Sequence, residues 1–418
     1  MLFKFFGAAQ EVGRSSILMK DESTILFDYG VKLMEKPEYP VEVPRVDALF
    51  LSHAHLDHSG AVPVLYNNDF IPTFGTKPTS ELSEILLEDS IKIAKKEHLQ
   101  PHFHRRQVTS FLNRYVGVEY HKPFRFKNFD VTLLNAAHIC GSATFVMERN
   151  GAKTNKRVIY TGDYKLDPMA LHNGAEVPQG DVLITESTYA LREHPNREEL
   201  IKKFVGKIRE IIDNKGTALL PAFALGRSQE LLAILYQNGL IENTYLDGMS
   251  RKVTEVTLHN KEYISNYETL RAAVEKSTFI EDLEDRRDAL KGPSIIVTTA
   301  GMLNGGPVMN YITKLGPNSE ILLTGYQVRG SNGHRLLETG RINMDGHEVK
   351  IKSKATYFDF SAHAGKSELY EYVKRVSPSV VMCVHGDQDS STAMAESLKM
   401  EGYEAYAPAL DETIKIDG

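Results

Sequence analysis

Leu51-Ser52-His53-Ala54-His55-Leu56-Asp57-His58-Ser59-Gly60 is the stretch on which the reading of this chain turns. It follows the apolar run Ala48–Leu51 and precedes a helical pattern, which predicts a strand-to-helix loop. Four ligand-type side chains fall between positions 53 and 58. In extended backbone, side chains two apart point the same way, so His53 and His55 can reach one ion together. Asp57 and His58, past the bend, can reach a second. A solvent-facing loop would explain one isolated histidine, but not H-x-H-x-D-H at a strand end.

Other predicted strand ends carry the same residue types. Asn135-Ala136-Ala137-His138, Tyr160-Thr161-Gly162-Asp163 and Val384-His385-Gly386-Asp387 each close an apolar run. Imidazole and carboxylate ligands suit Zn²⁺, and the absence of a cysteine cluster speaks against a structural zinc site. Two ions roughly 3.5–4 Å apart, bridged by Asp163, would make a hydrolytic two-metal centre.

Around these loops, short β-branched or aliphatic runs alternate with amphipathic helical segments such as Ser80–Glu97 and Glu198–Lys215. Several runs are continuously apolar, the pattern of strands covered on both faces. The fold class is therefore α/β. The 418 residues, 42% apolar and 25% charged, can bury a large core and are those of an ordinary globular enzyme. No apolar run approaches the roughly 20 residues needed to span a bilayer, and the N-terminus does not read as a signal peptide. Two cysteines far apart, Cys140 and Cys383, point to a reducing cytoplasm. A net charge of −6 excludes a strongly basic chain.

His53-x-His55-x-Asp57-His58, His138, Asp163 and His385, in that order, resemble the metallo-β-lactamase superfamily. That resemblance implies an αββα sandwich with a dinuclear site at one edge of its sheets. It implies two Zn²⁺ per chain: one on His53, His55 and His138, one on Asp57, His58 and His385, with Asp163 between them. Asp28, in Leu26-Phe27-Asp28-Tyr29-Gly30, matches the family's early aspartate that supports the ligands.

Asp163 and His385 are 222 positions apart, so a domain must be inserted between them. The insert resembles that of the β-CASP nucleases. Glu186 in Ile184-Thr185-Glu186-Ser187 matches their motif A, His363 in Phe360-Ser361-Ala362-His363-Ala364 motif B, and His385 motif C. Pro221-Ala222-Phe223-Ala224-Leu225-Gly226-Arg227-Ser228-Gln229-Glu230-Leu231 is similar to a segment of the polyadenylation-factor branch. The expected domains are 1–190 and 346–418 for the sandwich and 191–345 for an α/β β-CASP insert. A minimal two-domain member is expected, since the chain starts at the catalytic domain and ends soon after His385.

The activity this resemblance implies is hydrolysis of single-stranded RNA, with a histidine rather than an aliphatic residue at motif C favouring RNA over DNA. Its catalytic residues would be Asp57, His363 as general acid, and Glu186 holding His363. Endonucleolytic cutting is favoured because Gly325-Tyr326-Gln327-Val328-Arg329-Gly330-Ser331-Asn332 is nearer the polyadenylation-factor form. The alternatives are a 5′–3′ exoribonuclease of ribonuclease J type and a small-molecule metallo-hydrolase. Residues 191–345 hold 20 basic and 20 acidic side chains, so no broad basic surface is expected. Local RNA contacts are expected from Arg227, Ser228, Arg251, Lys252, Arg329 and Arg335, with His102–Arg106 a further basic cluster. No membrane partner is expected, and a homodimer is an admissible assembly.

Overall fold

The computed structural model describes residues 1–33, 37–67, 71–149 and 156–416. They form two compact units, one of Met1–Pro168, Asn173–Glu193 and His363–Gly418, the other of Met169–His172 and His194–Ala362.

In the first unit, alternation of buried and half-buried residues in strands such as Leu2–Phe5 and Phe129–Asn135 sets one face of each sheet inward. One seven-stranded sheet runs in the order Thr413–Lys415, Leu2–Phe5, Ile17–Lys20, Thr24–Phe27, Ala48–Phe50, Thr73–Gly75, Tyr115–Gly117. The other, also of seven strands, runs Glu404–Tyr406, Val380–Val384, Val182–Glu186, Arg157–Tyr160, Ala143–Arg149, Phe129–Asn135, Phe124–Phe126. Their inner faces share one core containing Phe3, Phe27 and Phe50 from the first and Phe129, Phe145 and Tyr160 from the second. Phe50 stacks on Phe145 at 5.2 Å and Phe27 meets Tyr160 at 4.8 Å. Such ring pairs add roughly 0.5–1.5 kcal/mol each beyond the area they bury.

Helices Lys77–Lys96 and Arg105–Leu112 cover the outer face of the first sheet through Leu87, Ile91, Val108 and Phe111. Helices Lys366–Val376 and Gln388–Met400 cover the second through Leu369, Tyr372, Val373, Met394 and Leu398. Strands Val182–Glu186 and Val380–Val384 are accordingly buried along their whole length. The expected αββα sandwich is present.

The second unit holds a six-stranded sheet in the order Thr278–Phe279, Thr244–Asp247, Ser294–Thr298, Thr217–Pro221, Glu320–Leu323, Lys354–Tyr357. Every neighbouring pair in it is parallel. Helix Arg197–Asp213, opened by the Asn196 side chain accepting from the Glu199 N–H, buries Leu200, Phe204, Val205, Ile208 and Ile211. The inserted unit runs to Ala362 rather than to 345, because Lys354–Tyr357 pairs in parallel with Glu320–Leu323. It also claims Met169–His172: Glu230 accepts from the N–H groups of Ala170 and Leu171, and Asn266 donates to the Ala170 carbonyl. No helix among the described residues is long and apolar enough to cross a membrane.

Candidate metal centre

All the sequence-predicted ligands lie in the first unit just after strands, Asp57 and His58 on the short helix Leu56–Ser59 and the others on loops. His53, His55, Asp57 and His58 follow Ala48–Phe50, and His138 follows Phe129–Asn135. Asp163 follows Arg157–Tyr160, and His385 follows Val380–Val384. Asp28, Ala137 and His385 take left-handed backbone (φ 55°, 54° and 49°), a conformation that costs a non-glycine residue roughly 1–2 kcal/mol. Such strain is held where a site needs it. Gly162, beside Asp163, is required twice over: its φ is 55°, and a Cβ there would lie 2.6 Å from the Ser52 Cβ.

Asp163 sits at the middle. Its carboxylate oxygens lie 3.6 Å from His53 Nε2, 3.3 Å from His58 Nε2 and 3.8 Å from His138 Nε2. The Nδ1 atoms of His385 and His363 are 3.2 and 3.8 Å away. Burial opposes its charge, but the imidazoles of His385, His58 and His363 hold the carboxyl well below the usual carboxylate range. His53, His55, His138 and Asp163 each bring one ligand atom within 4.8 Å of the others, and so do Asp57, His58, Asp163 and His385. His53 Nε2 and Asp163 Oδ1 are buried without any hydrogen bond. Buried donors and acceptors are normally satisfied, so these atoms, imidazole nitrogen and carboxylate oxygen, fit a divalent cation between them.

The outer partners fix which nitrogen faces inward. Asp28 accepts from the Ser52 N–H and Oγ–H at 2.7 Å each, from Tyr160 O–H at 2.5 Å, and from His58 Nδ1 at 2.6 Å. With its only proton given to Asp28, the Ser52 hydroxyl must accept from His53 Nδ1 at 3.0 Å. Both His53 and His58 therefore present Nε2 to the centre. Sequence reasoning singles out neither Ser52 nor Tyr160 as a partner. Each is a hydroxyl residue within a ligand-bearing run, a signal that could have marked them.

His363 donates from Nδ1 to Glu186, with Oε2 at 3.0 Å, and Glu186 Oε1 also accepts from the Tyr164 N–H at 3.0 Å. Burial disfavours a charged His363, but Glu186 and Asp163 outweigh it and raise its pKa to about 9. Asp163, Glu186, His363 and His385 form a third group of ligand-type atoms within 4.8 Å. His363 thus adjoins the cluster rather than standing apart from it.

The expected RNA contacts fare unevenly. Lys252, Arg329 and Arg335 are exposed. Ser228 is fully buried and its hydroxyl donates to the Phe223 carbonyl at 2.8 Å, so it is a helix-start fastener and not a surface contact. Arg227 is buried as well. Arg251 donates to the Ile280 carbonyl and to Glu281. In the His102–Arg106 cluster, His102 stacks on Tyr39 at 3.8 Å and Arg105 pairs with Glu88.

Comparison with known proteins places this geometry. Residues 23–202 match the beta-lactamase superfamily domain, 228–336 the Beta-Casp domain, and 348–408 the Zn-dependent metallo-hydrolase RNA specificity domain. The chain is 39% identical to "Probable RNase MJ4" of Methanocaldococcus jannaschii, over 99% of both chains. It is 36% identical to "RNase aCSPSF2" of Saccharolobus solfataricus, covering 99% of this chain and 85% of that one. With "Transcription termination factor FttA" of Methanothermobacter thermautotrophicus it shares 32%, over 98% of this chain and 71% of the relative. A solved structure of a protein of unknown function from Enterococcus faecalis V583 superposes with a TM-score of 0.65 at 14% identity, over 99% of both, and shows the fold. A histidine–aspartate ligand cluster on an αββα sandwich, an inserted parallel-sheet unit and relatives matched over nearly all of this chain make the chain a member of the β-CASP family of the metallo-β-lactamase superfamily.

Proposed function

We propose that this chain is a zinc-dependent ribonuclease that hydrolyses phosphodiester bonds within single-stranded RNA. The observation that carries the reading is the Asp163 carboxylate set among five imidazoles, with buried ligand atoms that nothing in the protein satisfies. His53, His55 and His138 would hold one Zn²⁺ and Asp57, His58 and His385 a second, with Asp163 shared. Ions held there would supply Lewis acidity toward a phosphoryl oxygen and lower the pKa of water.

The chain's own residues do the rest. Asp28 and Ser52 fix the tautomers of His58 and His53. Glu186 engages Nδ1 of His363 and orients the ring, leaving Nε2 as the proton donor to the departing 3′-oxygen. General acid assistance of this kind contributes typically 10²–10⁴ in rate. The products are then a 5′-phosphate and a 3′-hydroxyl. RNA as substrate is supported by the ribonuclease names of two full-length relatives and by the RNA specificity domain matched at 348–408. The cytoplasm is the compartment where such a substrate and two cysteines far apart in the sequence fit together.

End-labelled single-stranded RNA with a blocked 5′ end tests the reading. Internal fragments bearing 5′-phosphates, lost on chelation and regained with Zn²⁺, are expected. Mononucleotides released only from an unblocked 5′ end would make the chain a 5′–3′ exoribonuclease instead. Turnover of a small ester with RNA left intact would make it a small-molecule hydrolase.

A further inference from the structure

Arg227 opens helix Arg227–Gln237 in the inserted unit and is only 9% exposed. Its Nε is buried with no acceptor, and no hydrogen bond joins its guanidinium to any described residue. The neighbouring groups do not remedy this. Glu230 is taken up by the N–H groups of Ala170 and Leu171 and by Arg197. Asp359 is taken up by His194 Nδ1 and the Tyr357 hydroxyl. Arg197 lies over the Phe360 ring, and its own Nε is also buried without an acceptor. Arg197 and Arg227 both stand beside Glu230, and each keeps a buried Nε without an acceptor. Burial, together with the like charge of Arg197, lowers the Arg227 pKa to about 10.

A guanidinium nitrogen buried without an acceptor is costly, and an anion placed against it would meet that donor. Phosphate matches the planar fork of arginine with two parallel hydrogen bonds, which lysine cannot reproduce. We propose that Arg227, with Arg197 beside it, forms a phosphate-binding site within the inserted unit that holds a phosphate group of bound RNA. The proposal rests on the ribonuclease reading above and deepens it, since it assigns a substrate contact remote from the ligand loops in sequence. Glu230 is then the positioning residue that keeps Arg197 turned toward its neighbour.

Steady-state cleavage by the zinc-loaded full chain tests it, with Arg227→Met and Arg227→Lys compared on RNAs carrying a 5′-phosphate or a 5′-hydroxyl. Arg227→Met should raise KM roughly tenfold, the loss of one charge-assisted contact, with kcat little changed. The salt dependence of 1/KM should flatten by roughly 0.7 in log–log slope, one phosphate fewer. Arg227→Lys should recover only part of the affinity. The melting temperature of Arg227→Met should stay level or rise, because an unpaired buried charge has been removed; an arginine with a structural role would lower it. A KM effect on both RNAs assigns an internal phosphate, and an effect confined to the 5′-phosphorylated RNA assigns the terminal one. Unchanged KM and salt slope in a protein whose wild type cleaves RNA would overturn the site. A wild type that cleaves no RNA would instead sink the ribonuclease reading, and a lowered melting temperature with unchanged KM would make Arg227 structural.

Discussion

The Asp28 carboxylate lies 2.6 Å from Nδ1 of His58, and that contact turns Nε2 of the same ring toward Asp163, 3.3 Å away. Asp28 is fully buried and also accepts from Ser52 and Tyr160, so its orientation is determined from both sheets. Replacing Asp28 with Asn keeps the volume but sets an amide where a carboxylate held the ring. Loss of such an outer partner typically costs 10–100-fold in metal affinity. Competition with a chromophoric chelator should show the ion on His58 loosened by about that factor in Asp28→Asn, and the ion on His53, which Asp28 reaches only through Ser52, loosened less. Equal loosening of both ions, or of neither, would contradict the assignment of His58 to one ion only.

Asp163 faces imidazoles from both proposed metal sites and no other carboxylate oxygen does so at comparable distances among the described residues. Asp163→Asn should therefore leave fewer than two ions per chain and abolish cleavage, whereas His55→Ala should affect chiefly one ion. Elemental analysis of protein kept from chelators checks both. Two ions retained in Asp163→Asn would show that it is not the shared ligand.

Glu368 ties the loop after Asp163 to the turn after His363. It accepts from the Gly365, Leu166 and Asp167 N–H groups and pairs with buried Lys165. Burial raises the cost of its charge, but Lys165 and the N–H groups of Gly365 and Asp167 prevail and hold its pKa below the ordinary glutamate value. A lowered folded-state pKa contributes stability that is present above the unfolded value, roughly 4.3, and is lost as pH falls from there through the lower folded value. Glu368→Gln, which strands Lys165, should cost about 3 kcal/mol at neutral pH. The gap to wild type should close as the pH drops below roughly 4. Denaturant unfolding across pH measures this, and parallel stability curves would refute it.

The ligand set was legible because its members stand at the ends of apolar runs, where an extended strand gives way to a loop and side-chain direction is set by the strand. The position of Asp163 among five rings was not legible, since it depends on how Arg157–Tyr160 registers against Val182–Glu186 and Ala143–Arg149. The end of the inserted unit was missed because the sequence does not say which sheet Lys354–Tyr357 joins; only its parallel pairing with Glu320–Leu323 assigns it to the insert. Met169–His172 joins that unit through backbone N–H groups held by Glu230, which leave no trace in the sequence. Arg227 and Ser228 read as local RNA contacts, which would set both side chains at the surface. Helix Arg227–Gln237 instead buries Arg227 through Leu235, its polar first turn included.

Whether His363, held by Glu186, supplies the proton at a metal centre built without it can be measured directly. His363→Ala is compared with wild type on ordinary RNA and on RNA with sulfur replacing the leaving 3′-oxygen, with zinc content determined on the same samples. Sulfur needs little protonation to depart. The variant should keep its zinc, lose roughly 10²–10⁴ in rate on ordinary RNA, and recover most of that loss on the sulfur substrate. Loss of a zinc ion, or an equal deficit on both substrates, would contradict it.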